Sequence, residues 1–178
     1  ARKGSDVQSV VYVQADSGVM FNSLVRYTLE DGLSGLEMHL GLPGTVGGAI
    51  FMNSKWAQKT AYVGDALYQA EILSPAGDVR PVPQHYFRFG YGTSSIQKTH
   101  DIVLRVVFAL QSKSKDEVWK VANESIAYRQ LTQPRGVFTA GCTFRNNSTA
   151  QVMSLGLPKE ATSAGYLIDH SGLKGETA

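Results

Sequence analysis

A glycine-rich segment, residues 41–49, has the residue types that could hold an anion. It reads Gly-Leu-Pro-Gly-Thr-Val-Gly-Gly-Ala, with four glycines and one proline in nine residues. Glycine accepts positive φ and lets other groups approach the backbone closely, while Pro43 lacks an N–H, so we predict an irregular loop and no helix or strand interior. Its unobstructed N–H groups could bind the pyrophosphate of a nucleotide or dinucleotide. A purely structural loop is the alternative.

A second segment, residues 139–146, places small residues around the only cysteine, Cys142. It reads Thr-Ala-Gly-Cys-Thr-Phe-Arg-Asn, and small neighbours leave the thiol accessible. A thiol, whose reference pKa is about 8.5, is protonated at neutral pH and can donate a proton as a general acid. The alternative is a buried cysteine that packs as a small apolar side chain. A single cysteine excludes an intrachain disulfide and is compatible with a reducing compartment.

The sequence signals for the other candidate polar residues are less specific. Tyr91 lies in Phe-Gly-Tyr-Gly-Thr-Ser, and Arg129 lies four residues before Gln-Pro. The alternative for Tyr91 is an ordinary half-buried aromatic side chain. The alternative for Arg129 is a solvated charge on the face of a helix. Asp169 and His170 have no third partner in the sequence, so we expect a surface or packing role for both. The four histidines lack metal-ligand spacing, and no metal site or P-loop is predicted.

The elements that must position these residues alternate between strands and helices. Apolar and β-branched runs predict strands, and apolar residues at helical spacing predict helices, one of them closed by Gly32 and another begun by a capping box of Ser114 and Glu117. The expected strands are 7–15, 66–73, 79–82 and 102–110; the expected helices are 21–31, 115–133 and 161–173, and residues 75–78 form a turn. The pattern is that of an α+β fold.

Composition limits the classes of function. The chain has 178 residues, of which 43% are hydrophobic, and a net charge of +2, so a nucleic-acid partner is not expected. No apolar run reaches the roughly 18 residues that span a bilayer, so no membrane partner is expected either. The polar break at 112–116 divides the chain into predicted domains 1–111 and 112–178. Because the sequence starts without Met and ends just after Gly-Leu-Lys-Gly, we expect a piece of a longer protein.

Several motifs, taken in chain order, resemble the MurB family, the FAD-dependent UDP-N-acetylenolpyruvoylglucosamine reductases. The resemblance runs from about residue 11 to 175 and includes Gly-Leu-Ser-Gly-Leu-Glu, the glycine segment, Met-Asn, Ala-Gly-Cys-Thr-Phe-Arg-Asn and Ser-Gly-Leu-Lys-Gly. The glycine segment alone is shared with other vanillyl-alcohol-oxidase (PCMH) type flavoproteins. The resemblance implies an FAD-binding domain of that type over 1–111. Part of an α+β substrate-binding domain then follows over 112–178.

The resemblance also implies site residues. Cys142 stands where the family has the serine that protonates the enol intermediate, and Gly92 stands where the family has an arginine at the flavin and substrate. A phosphate loop before residue 1 and a catalytic glutamate after residue 178 are expected. The implied cofactor-binding residues are Pro43, Gly44, Thr45, Val46, Gly47, Gly48, Asn53 and Ile102, and the implied substrate-binding residues are Tyr91, Arg129, Arg145 and Asn146.

The implied reaction transfers hydride from NADPH through FAD to the enolpyruvyl group of a UDP-sugar. Its product, UDP-N-acetylmuramate, serves peptidoglycan synthesis and thereby cell-wall biogenesis, cell shape and cell division. The resemblance implies a cytoplasmic enzyme, monomeric when complete, whereas residues 1–178 alone are expected to be inactive. Two alternatives stay open: another FAD-dependent oxidoreductase of the same fold, and an inactive nucleotide- or partner-binding domain, which Gly92 favours.

Overall fold

A computed structural model describes residues 9–56, 61–133, 136 and 143–172. The described strands are β1 (Val10–Asp16), β2 (Leu33–Ser34), β3 (Leu67–Leu73), β4 (Val79–Pro83) and β5 (Ile102–Ser112). The described helices are α1 (Phe21–Glu30), α2 (Val46–Phe51), α3 (Ile96–Thr99), α4 (Lys115–Thr132), α5 (Thr149–Ser154) and α6 (Ala164–His170). None of them is both long enough and apolar enough to cross a bilayer. The predicted α+β class is confirmed.

One antiparallel sheet has β5 at its centre. The strand order is β1-β5-β3-β4, and β2 also pairs with β5. Alternate β5 residues, Val106, Phe108 and Leu110, are fully buried, because successive side chains of a strand point to opposite faces. The β3–β4 hairpin turns at Gly77, whose φ of 93° suits glycine. The predicted strands and turn are thus present, with β5 two residues longer than expected.

Helix α1 follows the predicted helical spacing closely. Its buried residues, Phe21, Leu24, Val25, Thr28 and Leu29, form one face that packs into the core. Gly32 lies just beyond its C-cap with a φ of 67°, a left-handed conformation that ends helices. The helix and its glycine stop were therefore predictable from local signals.

Helix α2 contradicts the prediction that the glycine segment excludes a helix. Thr45 caps it, since its Oγ1 accepts a hydrogen bond from the Gly48 N–H at 3.2 Å. The second helical residue, Gly47, has no positive φ; instead, a Cβ there would come within 2.9 Å of the Ser17 Cβ. Glycine is therefore needed because α2 approaches the end of β1 closely, and such a tertiary contact leaves no local signal.

Helix α4 begins with the predicted capping box and packs with the first compact unit. The Ser114 Oγ accepts from the Glu117 N–H at 3.3 Å, and the Glu117 side chain accepts from the Ser114 N–H at 3.3 Å. Its buried Val118, Ala122 and Ser125 place it with the first compact unit, which ends at Gln133 and not at residue 111. The reason is that the inner face of α4 packs on the turn at Glu37–His39, far away in sequence. The assignment of cofactor and substrate roles to the two predicted domains stays a prediction.

The second compact unit comprises residues 134–178, and within it the structure describes 136 and 143–172. Ser148 and Ser163 cap α5 and α6, each through its hydroxyl oxygen. The helix predicted over 161–173 is shorter than expected, because a separate turn at Lys159–Thr162 precedes Ser163 and starts a new helix there.

Candidate functional site

A cleft of about 660 Å³ lies where α2, α3 and the start of β5 meet. It brings together Gly47, Gly48 and Ile102, three of the residues predicted to bind a cofactor. Phe51, Met52 and Ile102 give it an exposed apolar lining, with 43%, 44% and 58% of their surfaces accessible. Concave, largely apolar surface of this volume is typical of small-molecule sites.

The backbone N–H groups of the glycine segment are mostly used within the protein. Val46 donates to the Val19 carbonyl at 2.9 Å, and Gly47 donates to the Ser17 carbonyl at 2.8 Å. Among the described residues, the N–H groups of Gly44 and Thr45 have no hydrogen-bond partner. The concave donor surface expected from sequence is therefore reduced to these two groups.

The two helical glycines differ in what surrounds them. The missing Cβ of Gly47 faces Ser17, whereas a Cβ on the exposed Gly48 would meet only the Thr45 Oγ1, at 3.5 Å, an ordinary contact. Gly48 is thus a cleft-lining position at which a side chain would have room. Val46 is fully buried and its N–H is bonded to the Val19 carbonyl, so a contact between Val46 and a cofactor stays a prediction. Pro43 and Gly44 are exposed just before the helix.

Asn53, at the end of α2, is a buried clamp. Its Nδ2 donates to the Gly90 carbonyl at 3.0 Å, and its Oδ1 accepts from the Gly64 N–H at 3.1 Å. Its backbone has a φ of 43°, which asparagine tolerates better than most residues. With 3% of its surface exposed, Asn53 fixes the two segments beside α2. A direct contact between Asn53 and a cofactor stays a prediction.

Met52 belongs to the Met-Asn motif, whereas three other residues of the cleft, Phe51, Gln97 and His100, were not among the residues predicted from the sequence. The Gln97 Nε2 donates to the Phe51 carbonyl at 2.8 Å and to the Gly92 carbonyl at 3.2 Å, so Gln97 ties α3 to the end of α2. His100 closes α3 in a left-handed conformation, with a φ of 60°. These residues lie together because α3 packs beside the end of α2, and the local sequence pattern does not show such a tertiary contact.

Tyr91, predicted to bind substrate, lies beside a cation. Nearly half of its surface is exposed, and the Lys55 Nζ lies 5.7 Å from the centre of its ring. Gly92 has a φ of 62° and presents its carbonyl to Gln97. In the described part of the chain, Lys55 is therefore the positive charge over Tyr91, at a place where the adjacent residue has no side chain.

Arg129, the other candidate on α4, lies in a cluster with Trp56, Gly41 and His39. Its guanidinium lies 5.0 Å above the ring of the buried Trp56, and a Cβ on Gly41 would come within 3.5 Å of its side chain. The His39 Nδ1 and the Arg129 Nε are buried without a hydrogen-bond partner among the described residues.

Burial, followed by the charge of Arg129, lowers the pKa of His39 to about 4, against the opposing charges of Glu37 and Asp65. Burial also lowers the pKa of Arg129. His39 is therefore neutral at neutral pH, whereas an arginine keeps its charge because its ordinary pKa lies far above neutral.

The remaining candidates belong to the second unit. The Asn146 Oδ1 accepts from the Ala164 N–H at 3.1 Å, which secures the start of α6, and Arg145 is exposed. Cys142 lies outside the described residues, so its role as proton donor stays a prediction. No group of three or more His, Cys, Asp or Glu side chains in the described part of the chain could hold a metal ion.

Comparisons with known proteins agree on one family name. The chain is 36% identical over 175 residues to a UDP-N-acetylenolpyruvoylglucosamine reductase from Chlamydia muridarum, covering 98% of this chain and 54% of the relative. A protein of the same name from Geobacillus thermodenitrificans is 34% identical over 165 residues, covering 91% and 49%. No family model matches the chain.

A solved structure is similar as well. The crystal structure of UDP-N-acetylenolpyruvylglucosamine reductase (MurB) from Thermus caldophilus superposes with a TM-score of 0.73 at 32% sequence identity. The match covers 97% of this chain and 57% of that structure. The chain therefore spans about half the length of the relatives that it matches.

Proposed function

The chain belongs to the family of UDP-N-acetylenolpyruvoylglucosamine reductases (MurB), of which it spans about half the length, and on this basis we propose that the protein reduces the enolpyruvyl group of its UDP-sugar to give UDP-N-acetylmuramate for peptidoglycan synthesis. FAD and NADPH are the proposed cofactor and reductant. The observation that carries the proposal is the cleft that joins Gly47 and Gly48 to Ile102.

The residues of the cleft fit a flavin nucleotide. Gly48 leaves the cleft open, and the exposed Phe51, Met52 and Ile102 offer apolar surface to a flat ring. The unpartnered N–H groups of Gly44 and Thr45 suit phosphate oxygens. When bound, FAD supplies hydride transfer from NADPH to the enolpyruvyl carbon. The protein supplies orientation and the proton.

The roles proposed for individual residues follow from their chemistry. Cys142 protonates the second enolpyruvyl carbon, because a thiol holds its proton at neutral pH. Arg145 and Asn146 contact the UDP-sugar, which carries negative charge on its diphosphate. Tyr91 is likewise proposed as a substrate-binding residue, and we propose that the neighbouring Lys55 provides the positive charge that Gly92 cannot.

The cleft is tested by adding a side chain at Gly48. Because a leucine there would project into open space and not into the core, Gly48→Leu should fold normally and lose most of its bound flavin. Gly165→Leu is the matched control, since Gly165 is also an exposed helical glycine with room for a Cβ, but in α6. Flavin content is read from the visible absorbance of the purified full-length protein.

Two results would contradict the proposal. One is a wild-type full-length protein that contains no flavin and consumes no NADPH when given the enolpyruvyl sugar. The other is a Gly48→Leu protein with the flavin content of Gly165→Leu, which would place the cofactor elsewhere. Flavin without turnover of the enolpyruvyl sugar would favour another oxidoreductase of the same fold.

The proton donor is tested by separating the two half-reactions. Cys142→Ala should leave the oxidation of NADPH nearly unchanged, because that step needs no proton at the enolpyruvyl carbon. It should slow the step with the UDP-sugar by roughly 10²–10⁴-fold, the usual contribution of a positioned general acid. Cys142→Ser should keep much of the activity. Stopped-flow absorbance measures both steps, and equal slowing of the two would make Cys142 a structural residue.

A further inference from the structure

A second concave surface lies apart from the cofactor cleft, between β4, the turn that follows it and α3. It encloses about 650 Å³ and shares only Gln97 with the lining of the cleft. Basic side chains from three separate elements converge on it: Arg80 from β4, His85 and Arg88 from the turn, and Lys98 from α3. We call this surface the basic groove.

The charge of the basic groove is not balanced by carboxylates in its lining. None of the described residues that line it is acidic, and the ion pairs found in the described part of the chain involve Arg105, not Arg80, Arg88 or Lys98. An anion entering the groove would therefore meet Arg88 and Lys98, which form no ion pair with a described carboxylate, and Arg80, which is linked to Asp101 only through the Tyr86 hydroxyl.

Arg80 is held in place by a neighbour. Its guanidinium lies 5.1 Å above the ring of Tyr86 and donates to the Tyr86 hydroxyl at 3.2 Å. That hydroxyl donates in turn to Asp101 at 2.6 Å, and Thr99 donates to the same carboxylate. Burial favours a raised pKa for Asp101, but the hydrogen bonds from Thr99 and Tyr86 and the charge of Arg80 outweigh it and lower the pKa. Asp101 therefore stays ionised and orients Tyr86.

Arg88 is held in an uncommon conformation. Its φ of 43° lies in the left-handed region, where a non-glycine residue is disfavoured, and it ends the turn at Gln84–Phe87. No hydrogen bond of its side chain to a described residue accounts for an arginine at this position, although a glycine would fit the backbone better. An arginine there is explained if its charge is used in the groove.

The geometry points to a binding site for a small phosphorylated molecule in the basic groove. The volume suits a small ligand. Arg80 and Arg88 have the planar guanidinium that binds phosphate oxygens in pairs, with Lys98 as a further point charge. Exposed Pro81 and Pro83 give the groove an apolar wall for the organic part of the ligand. This inference does not depend on the proposed reductase activity.

Inorganic pyrophosphate is the probe for this site, titrated calorimetrically at low ionic strength into the full-length protein. Arg88→Gly combined with Lys98→Gln should raise its dissociation constant by about tenfold or more, since a charged hydrogen bond to phosphate is worth at least that factor. The glycine suits the left-handed backbone, so folding should be preserved, and circular dichroism verifies it. Arg88→Lys with Lys98 intact should bind with an intermediate constant.

Three controls make the result decisive. Arg26→Gln removes a cation from the exposed face of α1, and its effect should be small. Gly48→Leu should leave this binding unchanged, which separates the groove from the glycine segment. The proposal is overturned if the Arg88 and Lys98 variant binds like wild type. It is also overturned if Arg26→Gln weakens binding equally, or if Gly48→Leu alone abolishes it.

Discussion

At the scale of the residue, His39 is a buried base that folding keeps neutral. Its pKa of about 4 in the folded protein lies below the ordinary value of 6.5, so between these two pH values the unfolded chain binds more protons than the folded one. The free energy of unfolding must therefore fall as the pH drops from 6.5 towards 4. The full pKa shift of His39 corresponds to a loss of roughly 3 kcal/mol in the free energy of unfolding, at 1.36 kcal/mol for each pH unit.

Replacing His39 should remove that dependence. His39→Leu keeps an apolar contact with Phe21, whose ring lies 6.2 Å from the imidazole, and it has nothing to titrate. Urea unfolding of the full-length protein at several pH values should show a shallower loss of stability for the variant below pH 6.5. Above pH 7 the two proteins should give parallel curves. Equal slopes below pH 6.5 would show that His39 is not the titrating group.

Single residues also show where sequence was sufficient and where it was not. The glycine segment was predicted to approach a ligand, and Gly48 and Ile102 do line one cleft. The reason for Gly47 was missed, because its partner is Ser17 on a different element. The direction of the Arg129 side chain, onto Trp56, was equally unpredictable, since it depends on where α4 packs.

At the scale of the element, Asn53 connects the end of α2 to two other segments. Asn53→Ala would leave the Gly64 N–H without its partner, would leave the Gly90 carbonyl with only the Thr93 N–H, and would strain a backbone with φ of 43°. We expect it to lower the free energy of unfolding by about 2–4 kcal/mol, from the unpaired Gly64 N–H, the lost bond to Gly90 and the left-handed conformation together. Chemical denaturation measures the loss.

Two variants divide that loss between its causes. Asn53→Gly accepts the left-handed backbone and still lacks both hydrogen bonds, so it should lose less than Asn53→Ala. Asn22→Ala is the control, since the Asn22 Oδ1 accepts only one N–H, from the exposed Gly41. If Asn53→Ala loses no more stability than Asn22→Ala, the clamp does not hold the segments together.

Elements with strong local signals were predictable, and elements that depend on distant contacts were not. Helix α1 has an apolar face and a glycine stop, the β3–β4 hairpin has its turn residues, and α4 has a capping box. Helices α2 and α3 have six and four residues, too few for the spacing of apolar side chains to be recognised. These two short helices supply half of the residues that line the cleft, so the site was less predictable than the sheet.

At the scale of the whole molecule, α4 should unfold with the first compact unit. The Ser125 Oγ donates to the Met38 carbonyl at 2.7 Å, and Ser125 is buried with 3% of its surface exposed. Ser125→Ala leaves that carbonyl without its donor. Hydrogen exchange of the full chain should therefore become faster both in α4 and around residue 38, and stay the same in 148–172.

The matched control for this experiment is Ser148→Ala, which removes the cap of α5. Its effect on exchange should be confined to the second unit, in and around α5. If Ser125→Ala instead speeds exchange in α4 and 148–172 together, α4 belongs with the second unit. The boundary predicted from the polar break at 112–116 would then be correct. That break marks the end of a strand, and sequence alone does not say which unit the following helix packs on.

The central position of β5 has a consequence for biosynthesis. Val10 pairs with Gln111 and Asp16 pairs with Arg105. β1 therefore cannot pair with β5 until the ribosome has synthesised the intervening chain. At roughly 5–20 residues per second, that wait is on the order of five to twenty seconds. During this time the apolar Val11 and Val13 of β1 lack β5, the strand with which β1 pairs in the described part of the chain. This part of the chain should therefore depend on chaperones during synthesis more than the β3–β4 hairpin, whose two strands emerge together.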